Sequence, residues 1–229
     1  MQLPFGAARL RHLLVLAFAL AFAAASAFDS ADELSRWMSL YYQAPEPQRL
    51  GEALRQFVAE PARLVQPERL DAPAQFFGVL ARSSPSAREA AVAFDQSLPA
   101  GPPKQFVQRV LRQSGKLEFT RARDPNDIDI VWAQFAATGD LDAVRIVVAA
   151  LDFSEQEVDL SRPIWKAIKV KDRPEGARLM RSAAAWSLAK HAQMHPRVNE
   201  QLQKNLAGAK TEAQRAQLRG ILDGRISLK

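Results

Sequence analysis

The sequence predicts an all-α protein, built of antiparallel helix pairs in a single solenoid-like or orthogonal bundle domain behind a signal peptide. Three observations carry this. Apolar residues recur at i, i+3, i+4 and i+7 through nearly the whole chain, the period of an amphipathic helix. Helix-capping residues and prolines recur where one apolar stripe stops and the next begins. No tract alternates convincingly at the two-residue period of a strand.

The chain has 229 residues, of which 48% are hydrophobic and 24% charged, and it has no cysteine. Too much apolar side chain is present for an intrinsically disordered protein. The lack of cysteine excludes a disulfide scaffold, an iron–sulfur site, a thiolate zinc site and a thiol nucleophile.

The leader is expected over 1–27. Arg9, Arg11 and His12 precede an unbroken apolar run, Leu13 to Ala25, and Ala25-Ser26-Ala27 matches the small-residue cleavage pattern. The mature chain then begins at Phe28 as one all-helical domain over 28–229. The run is shorter than the roughly 20 residues a membrane span needs, which sets the alternative of a retained anchor second. Export places the protein in the periplasm or outside the cell.

The elements follow in order. Ser30 and Glu33 form a capping box, and Leu34, Trp37, Met38 and Tyr41 make one stripe until Pro45 and Pro47. Leu50, Leu54, Phe57 and Val58 mark a second helix ending before Pro61. A third runs from about Pro67 to Leu80. Ser86 with Glu89 opens a fourth, through Val92, Phe94 and Leu98. Residues 99–103, Pro-Ala-Gly-Pro-Pro, are the sharpest break and the place for any subdivision. Phe106, Val107, Val110 and Leu111 form the next stripe, stopped by Gly115.

Asp124 is a good N-cap, with Pro125 at the first helical position, and Ile128, Val131, Trp132 and Phe135 repeat behind it. Gly139 supplies a left-handed C-terminal cap and Asp140 starts the next helix at once, so the pair must be an αα-hairpin. The β-branched run 144–148 lies between caps and is therefore read as helix. Residues 152–158 are a loop or short acidic turn. Pro163 to Val170 is a short helix, with a strand as the minor alternative, and Ala177 to His195 is a long one ended by Pro196. Val198, Leu202 and Leu206 lead to Gly208. Thr211 and Gln214 open the last helix, packed through Leu218, Ile221 and Leu222.

Residues 136–144, Ala-Ala-Thr-Gly-Asp-Leu-Asp-Ala-Val, resemble the inter-helix turn of an ankyrin repeat, without its Thr-Pro-Leu-His opening and without a second copy. Residues 183–191 with Val198 and Leu202 resemble a HEAT- or armadillo-type pair. Over most of the mature chain, and on residues 132–140 and Trp186-Ser187-Leu188 in particular, the sequence resembles an uncharacterised family of exported bacterial helical proteins. That resemblance implies an exported all-helical fold and no activity.

Charge is unevenly spread. Residues 28–160 carry 14 basic and 20 acidic side chains, and residues 161–229 carry 15 basic and 5 acidic. The densest basic run, Arg162, Lys166, Lys169, Lys171, Arg173, Arg178 and Arg181, is the candidate surface for an anion or an acidic partner. Export makes nucleic acid the least favoured of the anionic partners.

No catalytic, cofactor or metal residue is expected. His191 and His195 share a helix face, but Ala192-Gln193-Met194 between them lacks the glutamate of a zinc protease. Both suit a helix C-terminus as cations. Counted as a calcium loop from Asp124, the fifth and sixth positions are Ile128 and Asp129, where an oxygen ligand and glycine are needed. Neither a Gly-x-Ser-x-Gly elbow nor a phosphate loop is present. Trp37, Trp132, Trp165 and Trp186 are expected in the core. Tyr41-Tyr42 and Phe76-Phe77 each place one ring off the main stripe and are the candidates for an exposed apolar contact, with burial the commoner outcome.

The leading expectation is a non-enzymatic envelope protein that binds another protein, since helical-pair folds present extended surfaces. The alternatives are an adaptor to anionic envelope surfaces through the basic C-terminal third, and an envelope hydrolase with an unrecognised carboxylate pair.

Overall fold

Capping chemistry sets most helix starts. A computed structural model of the chain describes residues 28–225; the expected leader, 1–27, lies outside the described residues. Helix α1 spans Ala31–Leu40, with the Ser30 hydroxyl accepting from Glu33 N at 3.1 Å. The Glu33 carboxylate reaches one residue beyond the cap, accepting from Asp29 N. Helices α2 (Leu50–Val58), α3 (Pro61–Leu64), α4 (Asp71–Ser83), α5 (Pro85–Ser97) and α6 (Pro102–Arg112) follow. Then come α7 (Pro125–Thr138), α8 (Leu141–Ala149), α9 (Pro163–Ala167), α10 (Arg173–Met194), α11 (Pro196–Ala207) and α12 (Glu212–Leu222). Short 3₁₀ turns join several of them, and the described residues contain no strand, so the fold is all-α.

Three starts differ from expectation. Pro67–Leu70 form a 3₁₀ turn, so α4 begins at Asp71 and not near Pro67. Helix α5 is capped by Ser84, which accepts from Ala87 N at 3.1 Å, and not by Ser86. Pro85 decides this, because its fixed φ suits the first helical position and leaves Ser84 extended. The long helix α10 begins at Arg173, four residues early, because Asp172 accepts from Glu175 N at 2.8 Å. The hairpin of α7 and α8 forms as expected. Asp124 Oδ1 accepts from Asp127 N, and Asp140 Oδ1 from Asp142 N. Gly139 sits at φ 68° beneath Tyr42, and a Cβ there would stand 2.7 Å from the Tyr42 ring.

The buried side chains form two clusters. The first joins α1 to α6 through Leu34, Leu54, Phe57, Phe76, Phe77 and Phe106. The second joins α7 to α12 through Val131, Phe135, Val144, Trp165, Met180 and Leu188. Pro99–Pro103 links two helices of one cluster, and the changeover comes later, over 113–124. Helix α7 unites the clusters. Its Ile128, Val131, Trp132 and Phe135 face the second, and its Ala133, Ala136 and Ala137 pack on the first. A helix apolar all round is one buried on both sides. Across the seam Gln75 Nε2 donates to Gln134 Oε1 at 2.7 Å, both residues being buried. Contacts such as α4 with α7 and α7 with α10 reach beyond chain neighbours, so the pairs build a bundle and not a one-dimensional stack.

Candidate interaction surface

Helix α10 carries its small residues inward. Ala177, Ala184, Ala185, Ala189 and Ala192 are buried, with Met180 and Leu188 the larger members of that face. Small inner residues let helices approach closely, and three further large residues of α10 stand on the opposite side. Among the described residues five large hydrophobic side chains are exposed: Val65, Ile168, Leu179, Trp186 and Met194. Four of the five fall within 168–194. Trp186 is 59% exposed, which corrects its expected place in the core. Trp132 and Trp165 are buried as expected, and Trp37 is partly so.

Leu179, Ala183, Trp186, Lys190 and Met194 follow one another at spacings of 4, 3, 4 and 4. That spacing places them on one strip of the helix, about 22 Å long at 1.5 Å per residue. The Lys190 ammonium lies 5.2 Å from the Trp186 ring centroid, a cation–π contact within the strip.

The seven basic residues predicted as a partner surface separate into two groups. Arg162 binds the Asp124 carboxylate and lies 3.6 Å from Asp127, and both acids are buried. Arg181 Nη1 donates to the Phe153 carbonyl at 2.8 Å. These two tie the fold together. Lys166, Lys169, Lys171, Arg173 and Arg178 are exposed and make no ion pair or side-chain hydrogen bond among the described residues. Lys169 closes α9 at φ 60°, and Val170 N bonds back to the Trp165 carbonyl at 2.9 Å. Glycine normally takes this left-handed position.

Tyr41, Phe76 and Phe77 do not leave rings exposed. Each is at most 4% exposed, because α4 lies between two layers: Phe76 meets Trp37 and Tyr41 on one side, and Phe77 meets Phe57 and Phe106 on the other. Tyr42 is partly buried against the second cluster.

His191 and His195 are not helix-end cations. His191 stacks on Trp132 with centroids 3.8 Å apart, and His195 lies 5.3 Å beyond His191. The Tyr42 hydroxyl is 3.2 Å from His195 Nδ1, donating to it in the Nε2–H tautomer. Burial pushes His191 down to about 3, helped by His195 and Lys190, and burial lowers His195 as well. Desolvation of a charged imidazole here outweighs the attraction of the helix end. Among the described residues no three His, Asp or Glu side chains stand together as metal ligands, and no helix is long and apolar enough to cross a membrane.

Other concave features exist. A cleft of about 370 Å³ at the seam is lined by Asp71, Arg123, Asn126, Asp127 and Arg162 among others, and these five are bonded to one another or to neighbouring side chains. The α10 strip lacks such internal bonding of its large residues. The basic run was legible in the sequence; the apolar strip beside it was not, because Trp186 and Leu179 have the composition of core residues. The signal that would have found it is the crowding of alanines on the opposite face.

No family model, curated protein or solved structure matches the chain.

Proposed function

We propose that this chain is an exported, non-enzymatic protein of the cell envelope that docks another protein on the outer face of α10. One observation carries this: α10 buries a face made mostly of alanine and leaves Leu179, Trp186 and Met194 exposed along one outer strip. An exposed Trp between Leu179 and Met194 adds nothing to the core, whereas aromatic residues are the usual anchors of protein interfaces.

A photo-reactive side chain placed at position 186 in intact cells tests the proposal, with the exposed Arg88 position as control. The expected result is a discrete protein adduct from position 186 and none from 88. Equal labelling from both, or none from either, overturns it.

Four exposed cations without an acidic partner among the described residues, Lys166, Lys169, Lys171 and Arg178, favour a second reading, retention on an anionic envelope surface. It requires sedimentation with phosphatidylglycerol vesicles at low salt and release above physiological ionic strength. Failure to sediment at low salt removes it.

A further inference from the structure

We infer, resting on the reading of the α10 face as a protein dock, that the docking segment of the partner is an acidic amphipathic helix. The shape supports a helix. The strip Leu179, Ala183, Trp186, Lys190 and Met194 has the spacing of a helix–helix seam, with large residues at 179, 186 and 194 and the small Ala183 between the first two. Ser182, also partly buried, is a second small side chain between Leu179 and Trp186. A partner ridge can enter between Leu179 and Trp186, as an apolar helix face lies against its groove.

The charge supports an acidic one. Arg178 flanks the strip on one side and Lys190 lies within it beside Trp186, and neither has a carboxylate partner among the described residues. Lys166, Lys169, Lys171 and Arg173 add cations at the N-terminal end of α10. Three acids stand at that end and are bonded locally: Asp172 accepts from Glu175 N, Glu175 accepts from Lys171 N at 2.8 Å, and Asp159 accepts from Ser161 with Arg162 and Arg173 facing its charge. Carboxylates flanking the partner's apolar ridge would pair with Arg178 and Lys190.

The same features disfavour two other occupants. A second copy docked strip to strip would set Arg178 and Lys190 against their own kind. A bilayer is entered by a broad apolar face with large residues across it. Here the strip is narrow and contains Ala183 and Lys190, with Ser182 and Gln193 at its margin.

The test uses the mature chain and three synthetic amphipathic helices with leucine at a and d. They carry glutamate, glutamine or lysine at e and g. Binding is measured by titration calorimetry. The expected order is glutamate over glutamine by at least tenfold in Kd, with no binding of the lysine peptide. Trp186→Ala should weaken the glutamate peptide at least tenfold with an unchanged circular dichroism spectrum. The double variant Arg178→Glu, Lys190→Glu should prefer the lysine peptide.

Equal binding of all three peptides, or none of any, overturns the inference. So does binding to phosphatidylglycerol vesicles without peptide binding, or self-association lost on Trp186→Ala in sedimentation. A protein adduct from position 186 that persists in the charge-reversed double variant overturns the acidic helix and leaves the protein dock standing. Absence of any protein adduct removes the dock itself.

Discussion

Helix α6 and helix α10 use apolar residues in opposite ways. On α6 the large side chains point inward: Phe106, Val107 and Val110 are buried, and Phe106 stacks on Phe57 at 4.7 Å. Its tight fit extends to Gly78 of α4, where a Cβ would collide with Gln113 just past the end of α6. On α10 the alanines are inside and Leu179, Trp186 and Met194 are outside. The first core therefore consumes its large residues in a continuous chain of ring contacts from Phe28 to Phe106. The second core also buries large residues, Phe135, Phe153 and Trp165 among them, but α10 meets it mainly with alanines and leaves three large side chains outside.

Truncation inside the first core is the sharpest way to break the comparison. Phe77→Ala, at a fully buried position, is expected to cost about 3–5 kcal/mol in denaturant melts. A cost near that of a surface change would mean the aromatic core is slack.

Acid should next find the second core. His191 and His195 are buried with lowered pKa values, so the native state favours their neutral forms. The stability tied to neutral His191 is complete above the unfolded value of 6.5 and is lost as pH falls toward about 3. The expected slope is about 1.4 kcal/mol per pH unit for each proton taken up on unfolding. His191→Gln should flatten the slope of melts recorded between these limits; an unchanged slope would place the acid sensitivity elsewhere.

Asp124→Ala removes both the cap of α7 and the carboxylate that holds Arg162. It is expected to cost about 2 kcal/mol in the same melts. Lys169→Gly relieves a left-handed residue and should stabilise by about 1 kcal/mol, seen as a raised denaturation midpoint. The smallest stability change belongs to Trp186→Ala, within about 0.5 kcal/mol. A larger loss would show that Trp186 supports the fold after all.

Much of this fold was legible in the chain. The αα-hairpin of α7 and α8 follows from Asp124, Pro125, Gly139 and Asp140 because caps act on the backbone within a few residues. Periodicity also found the inner faces of α1, α2, α6 and α11. The misplaced start of α5 at Ser86 shows the limit of the capping-box pattern, where Pro85 mattered more than Glu89. Five of the seven predicted basic residues stand exposed, with Arg173 among them facing the charge of Asp159. Arg162 and Arg181 do not, because their partners Asp124 and Phe153 come from distant parts of the chain.

The sequence by itself determined most helix boundaries, since caps, prolines and apolar spacing are local. It also determined that positive charge gathers past residue 160. Only the tertiary structure decided which side of α10 is covered. Both sides of that helix carry apolar residues, and the neighbours that bury one of them, α7, α8, α11 and α12, are set by long-range packing. The same packing decided that two histidines at a helix end would be neutral: Trp132 and Tyr42 enclose them, and desolvation in that enclosure exceeds what the helix end offers a cation.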